Sequence, residues 1–131
     1  MDRDRLAEVA SAHGVDLVVQ FGSTAKGASH AGSDVDVAVL LKRAPASYAE
    51  QADLGAAMQP LFPGREIDLV VLNHADPLLL KQISDHGVLV HGAANQWQEL
   101  RLLAFKRYQD HRRFLEMERE YVGRAVAAAR R

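Results

Sequence analysis

Residues 18–41, VVQFGSTAKGASHAGSDVDVAVLL, decide how the chain is read. An apolar run gives way to a loop of small residues, and two aspartates then open a second apolar run. The runs Leu17 to Phe21 and Val35 to Leu41 are short, rich in Val and bounded by Gly, Ser and charge, as buried strands are. Between them Gly22, Gly27 and Gly32 alternate with Ser23, Thr24, Ser29 and Ser33. Such residues let a backbone turn sharply and aim N–H groups at an anion, so the loop is a candidate phosphate cradle. Side chains alternate along a strand, which sends Asp34 and Asp36 to one face. Two carboxylates therefore look at one point.

Working outward, Arg3 to His13 carries Leu6, Val9 and Ala10 on one helical face, with Gly14 where the helix should stop. Ser47 is a candidate N-cap, and Glu50 completes a capping box. The helix that follows is expected to turn Tyr48, Leu54, Ala57 and Met58 inward and to end near Pro60. Pro63-Gly64 marks a turn, and Glu66 to Leu72 reads as a third buried strand whose one interior charge is Asp68. Asn73 to Asp76 can cap a helix that begins at Pro77 and runs to His86-Gly87. Val88 to His91 follows as a short edge strand. The expected fold class is α/β: a small mixed sheet of about four strands, with helices on one side and a long C-terminal helix.

From Asn95 to Arg131 no proline occurs, and Trp97, Leu100, Ala104, Tyr108, Leu115, Val122 and Val126 follow helical spacing. Leu103, Phe105 and Phe114 widen that surface. At ~1.5 Å per residue such a helix reaches about 50 Å. A domain of 131 residues cannot cover it. The helix should project, break or meet another chain, so residues 1–94 are read as the core and 95–131 as a partner-binding helical extension of the same domain.

Composition narrows the function classes. The chain is 48% hydrophobic and 25% charged, with net charge −1, so nothing pulls it as a whole toward nucleic acid or membrane. The charge is uneven: residues 1–94 carry 7 Lys/Arg against 12 Asp/Glu, and residues 95–131 carry 9 against 5. Cysteine is absent, which removes disulfides and thiolate chemistry, and neither a signal peptide nor a membrane-spanning run is legible. A cytoplasmic location is the expectation.

Two alternative sites fail on spacing. A calcium loop of EF-hand type needs glycine where Val39 stands, and a P-loop needs Ser or Thr where Gly27 follows Lys26. His30 lies in the loop within reach of a substrate. His13, His74, His86, His91 and His111 are scattered, without zinc spacing.

The order Gly22-Ser23, ten residues, then Asp34-Val35-Asp36, with Asp68 on a later strand, resembles the signature of the DNA polymerase beta-like nucleotidyltransferase superfamily in its minimal (MNT) form. Lys26-Gly27 stands where that family has a basic residue and glycine, and Ser33 fits the position before the first aspartate. The resemblance covers about residues 6 to 91. The long C-terminal helix is similar to that of members paired with HEPN proteins in toxin–antitoxin modules. The resemblance implies that Asp34, Asp36 and Asp68 hold Mg²⁺ or Mn²⁺ and that Asp68 also activates the acceptor hydroxyl. It implies further that Gly22, Ser23, Lys26 and Ser33 bind the phosphates of ATP. Two carboxylates about 4 Å apart repel by roughly 4 kcal/mol at an effective dielectric near 20, which a divalent cation relieves. The expected reaction is transfer of AMP from ATP to a tyrosine of a HEPN toxin, the chain acting as antitoxin. The alternatives are an antitoxin that only masks its partner, and a nucleotidyltransferase acting on a small aminoglycoside-like molecule. Oligomers through the C-terminal helix are expected, and direct binding of nucleic acid is not.

Overall fold

In the central strands both faces are apolar, and that places the helices. The computed structural model describes residues 1–22, 34–43 and 46–130. Helix α1 (Arg3–Ala12) leads to strand β1 (Val15–Phe21), and strand β2 (Val35–Leu41) returns antiparallel to it. Helix α2 (Tyr48–Met58) passes through a 3-10 turn (Gln59–Leu61) to strand β3 (Ile67–Val71), which runs parallel to β2. A second 3-10 turn (Leu72–His74) and helix α3 (Pro77–His86) lead to strand β4 (Val88–His91), antiparallel to β1. Helix α4 (Ala94–Ala129) completes the chain. The sheet order is β3-β2-β1-β4, so the fourth strand lies at an edge as expected.

The expectation of helices on one side is corrected. Val35, Val37 and Val39 of β2 pack with Leu6 and Ala10 of α1 and with Leu54 and Met58 of α2. Ala38 and Leu40, which point the opposite way, pack with Leu80 and Ile83 of α3 and with Trp97, Leu100 and Ala104 of α4. The run VDVAVLL is apolar on both faces beyond Asp36, the pattern of a strand covered on both sides. Helices α1 and α2 cover one face, and α3 and α4 cover the other.

Local signals placed the helix starts well. The Ser47 hydroxyl accepts from the Glu50 N–H at 3.1 Å, while the Glu50 carboxylate accepts from that hydroxyl at 3.2 Å. Asp76 accepts from the N–H groups of Leu78 and Leu79 ahead of Pro77. Tyr48 is a second correction. It is 92% exposed, because it lies about 120° around the helix from Leu54 at ~100° per residue. Leu54 and Met58 alone face inward from α2 with full burial.

Two polar side chains tie chain ends to the sheet. Asn73 accepts from the Leu41 N–H at 2.8 Å and donates to the Leu41 carbonyl at 3.0 Å, closing the end of β2 as a neighbouring strand would. Gln96, in the first turn of α4, donates to Asp16 of β1 at 3.0 Å. Helix α4 continues unbroken for 36 residues, about 54 Å at ~1.5 Å per residue. Its buried residues are Trp97, Leu100 and Ala104, and every residue from Arg112 to Arg130 is exposed. The helix therefore does not break, and its outer half projects from the fold.

Candidate active site

The parallel pairing of β2 with β3 sets the geometry. Its register places Val35 opposite Ile67 and Asp36 opposite Asp68, and the Val35 N–H donates to the Glu66 carbonyl at 2.8 Å. Ile67 and Leu69 pack on the α1–α2 side, whereas Val70 packs on the α3–α4 side. By alternation Asp68 faces the α3–α4 side, and Asp36, two residues before Ala38, faces it too. Asp34, just ahead of β2, precedes Asp36 by the same interval. The apolar cover of that face begins only at Ala38 and Val70. Asp34 and Asp68 are consequently exposed and Asp36 half-buried.

Asp36 lies within the field of the other two acids. The Asp36 carboxyl is raised above its ordinary value, first by burial, then by the charge of Asp68 and then by that of Asp34. Each cause disfavours a further negative charge at this point. Oxygen donors of this kind suit a hard cation such as magnesium, which takes one or two carboxylates together with substrate phosphate oxygens. Among the described residues no group of three His, Asp or Glu side chains forms a ready-made metal cluster. The set fits a cation that draws its remaining ligands from a bound triphosphate.

Gly22 contributes by what it lacks. It ends β1 with φ 74°, in the left-handed region that glycine enters without strain. Its neighbour Phe21 is paired with Asp36, and a Cβ built on Gly22 would overlap Asp36 Oδ2. Backbone and carboxylate therefore meet without a side chain between them. Ser23, Lys26 and Ser33, with His30, lie outside the described residues. A cavity of about 240 Å³ lined by His13, Leu41, Glu50, Asp53 and Leu54 lies between α1 and α2, on the other face from the carboxylates. It takes no part in this site.

Sequence reasoning passed over Gln59, whose side chain accepts from the Ile67 N–H at 3.2 Å and donates to the Arg65 carbonyl, bracketing the entry to β3. No local pattern singles it out, because its partners exist only once α2 and β3 are side by side.

The solved structures similar to this chain carry the same arrangement of elements. One is a toxin–antitoxin crystal structure with AMP-PNP, matched at TM-score 0.75 and 22% identity over 97% of this chain and 99% of that one. Another is a tri-AMPylated Shewanella oneidensis HEPN toxin in complex with an MNT antitoxin, with TM-score 0.67, 20% identity and 95% of both chains covered. A structure assigned as a minimal nucleotidyltransferase is 27% identical, with TM-score 0.56, over 66% of this chain and 86% of that one. No curated protein sequence matches the chain. The family Polymerase beta, Nucleotidyltransferase matches residues 4–96, a span that holds Gly22, all three aspartates and the whole sheet. With the aspartates in register and the fold shared, the chain belongs to the polymerase beta nucleotidyltransferase family.

Proposed function

We propose that the chain transfers AMP from ATP, with Mg²⁺ or Mn²⁺, to a tyrosine hydroxyl of a HEPN-type toxin and so acts as its antitoxin. The observation that carries this reading is the register pairing of Asp36 with Asp68 against the bare backbone of Gly22. In the reaction the hydroxyl oxygen bonds to the α-phosphorus, the bond from that phosphorus to the bridging oxygen breaks, and pyrophosphate leaves. Asp34 and Asp36 would hold the cation, which supplies charge neutralisation at the phosphates. Asp68, exposed on an edge strand, would take the proton of the incoming hydroxyl. Gly22 and the following Ser23 would orient the terminal phosphates. The presence of AMP-PNP in one similar structure and of an AMPylated HEPN toxin in another supports this choice of donor and acceptor.

The outer half of α4 is proposed as the docking surface for that partner. Leu115, Val122 and Val126 continue the stripe that Trp97, Leu100 and Ala104 bury, yet they face solvent, flanked by exposed Phe114, Met117 and Tyr121. A contiguous apolar surface of this kind marks an interaction site. Both toxin–antitoxin structures match the chain over at least 95% of its length, and the minimal enzyme matches 66%. The same observation favours a second reading, in which masking through α4 neutralises the toxin without catalysis.

Incubation with labelled ATP, Mg²⁺ and a HEPN-type toxin separates the two. Label should appear on a tyrosine of the partner, and Asp34→Ala should reduce transfer by about 10²–10⁴-fold. Absence of transfer, or transfer undiminished in the variant, overturns the enzymatic reading.

A further inference from the structure

Strand β3 is an edge strand, with β2 on one side only. Peptide groups along a strand alternate in direction, so half of those on an edge face away from the sheet. At the entry to β3 that alternation is complete. The Glu66 carbonyl faces inward and accepts from Val35 at 2.8 Å. The Arg65 carbonyl and Ile67 N–H face outward, and both are taken by the side-chain amide of Gln59. A primary amide can donate and accept at once, so Gln59 substitutes for one rung of the missing neighbour strand. The two peptide units from Arg65 to Ile67 are thus held by three hydrogen bonds, one from β2 and two from Gln59.

Gln59 is itself firmly mounted. It follows Met58, the last residue of α2, which is fully buried, and its carbonyl accepts from the Phe62 N–H at 3.1 Å. Leu61 and Phe62 anchor the following turn in the same core. Asp68 has no such mounting, because its side chain is exposed and the charge of Asp36 lies opposite.

We propose that Gln59 is a positioning residue for Asp68: it clamps the entry of β3 so that the Asp68 carboxylate stays in register with Asp36, where the acceptor hydroxyl must give up its proton. The inference rests on the nucleotidyl-transfer reading. Proton transfer demands hydrogen-bond reach, and a misplacement of about 1 Å costs on the order of 10²-fold. Loss of the clamp should therefore act on kcat and leave ATP binding nearly intact, since Asp36 is on β2, Asp34 directly precedes β2 and Gly22 directly follows β1.

The experiment compares wild type, Gln59→Leu, Asp68→Asn and the double variant. Gln59→Leu should lower kcat by about 10- to 100-fold with KM for ATP changed less than about threefold. In the Asp68→Asn background the same substitution should cost nothing further, the non-additivity expected of a residue that acts through another. A wild-type kcat in Gln59→Leu, or an equal loss in both backgrounds, overturns the proposal. Amide exchange at Ile67 reads the clamp without catalysis and should accelerate at least about tenfold in Gln59→Leu. Unchanged exchange overturns the clamp, whereas accelerated exchange in a chain whose wild type transfers nothing supports the clamp and removes only the nucleotidyl-transfer reading.

Discussion

The leading end of β2 and β3 and the outer half of α4 are both surfaces that the chain leaves unfinished, but in opposite senses. At the sheet end Asp34, Asp36 and Asp68 share one face, and the Asp36 carboxyl is raised by burial and by its two neighbours. Along α4 from Phe114 to Val126 the surplus is apolar surface rather than charge. On the proposed reading the first would take a cation and phosphates, and the second another protein. The difference separates two tasks that one small domain has kept apart. Asp36 and Asp68 stand on paired strands, which suits chemistry that tolerates little misplacement. The apolar stripe stands on a projecting helix, which suits contact with a partner.

The largest test of this comparison removes one surface and leaves the other. A chain ending after His111 keeps Trp97, Leu100 and Ala104 in the core and loses the exposed stripe. Its affinity for the HEPN partner, measured by calorimetry, should fall by about 100-fold or more, while its thermal midpoint shifts by only a few degrees. Retained affinity would mean that the partner docks elsewhere. Truncation at residue 95 is no substitute, because it strips the core of the α3–α4 face.

Gly22→Ala tests the other surface more gently. The new Cβ meets Asp36 Oδ2, and alanine is strained at φ 74°. Steady-state kinetics should show transfer reduced by about 10- to 100-fold, with partner affinity unaltered. Equal activity would show that the approach of Gly22 to Asp36 is not needed.

The smallest effect concerns stability. A carboxyl whose folded pKa is raised contributes stability below its unfolded pKa and loses it as pH rises through the folded value. In metal-free protein at neutral pH the charge on Asp36 is therefore a burden, its raised pKa coming from burial, Asp68 and Asp34 in that order. Asp36→Asn should raise the thermal midpoint by a few degrees at pH 7, with the gain shrinking toward about pH 4. Calorimetric scans at the two pH values decide it, and a midpoint lowered at pH 7 would contradict the repulsion. Added Mg²⁺ and ATP should narrow the difference between the variants.

Much of this was legible in the residues. The Asp34-x-Asp36 spacing implied a shared face once β2 was read as a strand, and Ser47, Asp76 and Pro77 announced two helices. Asp68 was legible as an acid inside a strand. Its place opposite Asp36 was not, because register between β2 and β3 depends on how α2 carries the chain back to the sheet. Gln59 had no signal at all, since its two partners lie on a strand that sequence reading cannot set beside it. Tyr48 misled because aromatic residues are usually buried, and only the angle from Leu54 shows that it looks outward.

The sequence by itself determined the elements, the carboxylates and the excess length of α4, because each depends on local spacing and backbone preference. The tertiary structure decided which faces of the sheet are covered, where α4 stops packing, and that Asp68 stands across from Asp36 with Gln59 behind it. Those depend on pairing between distant segments, where hydrogen-bond register and the burial of both sheet faces must be satisfied together.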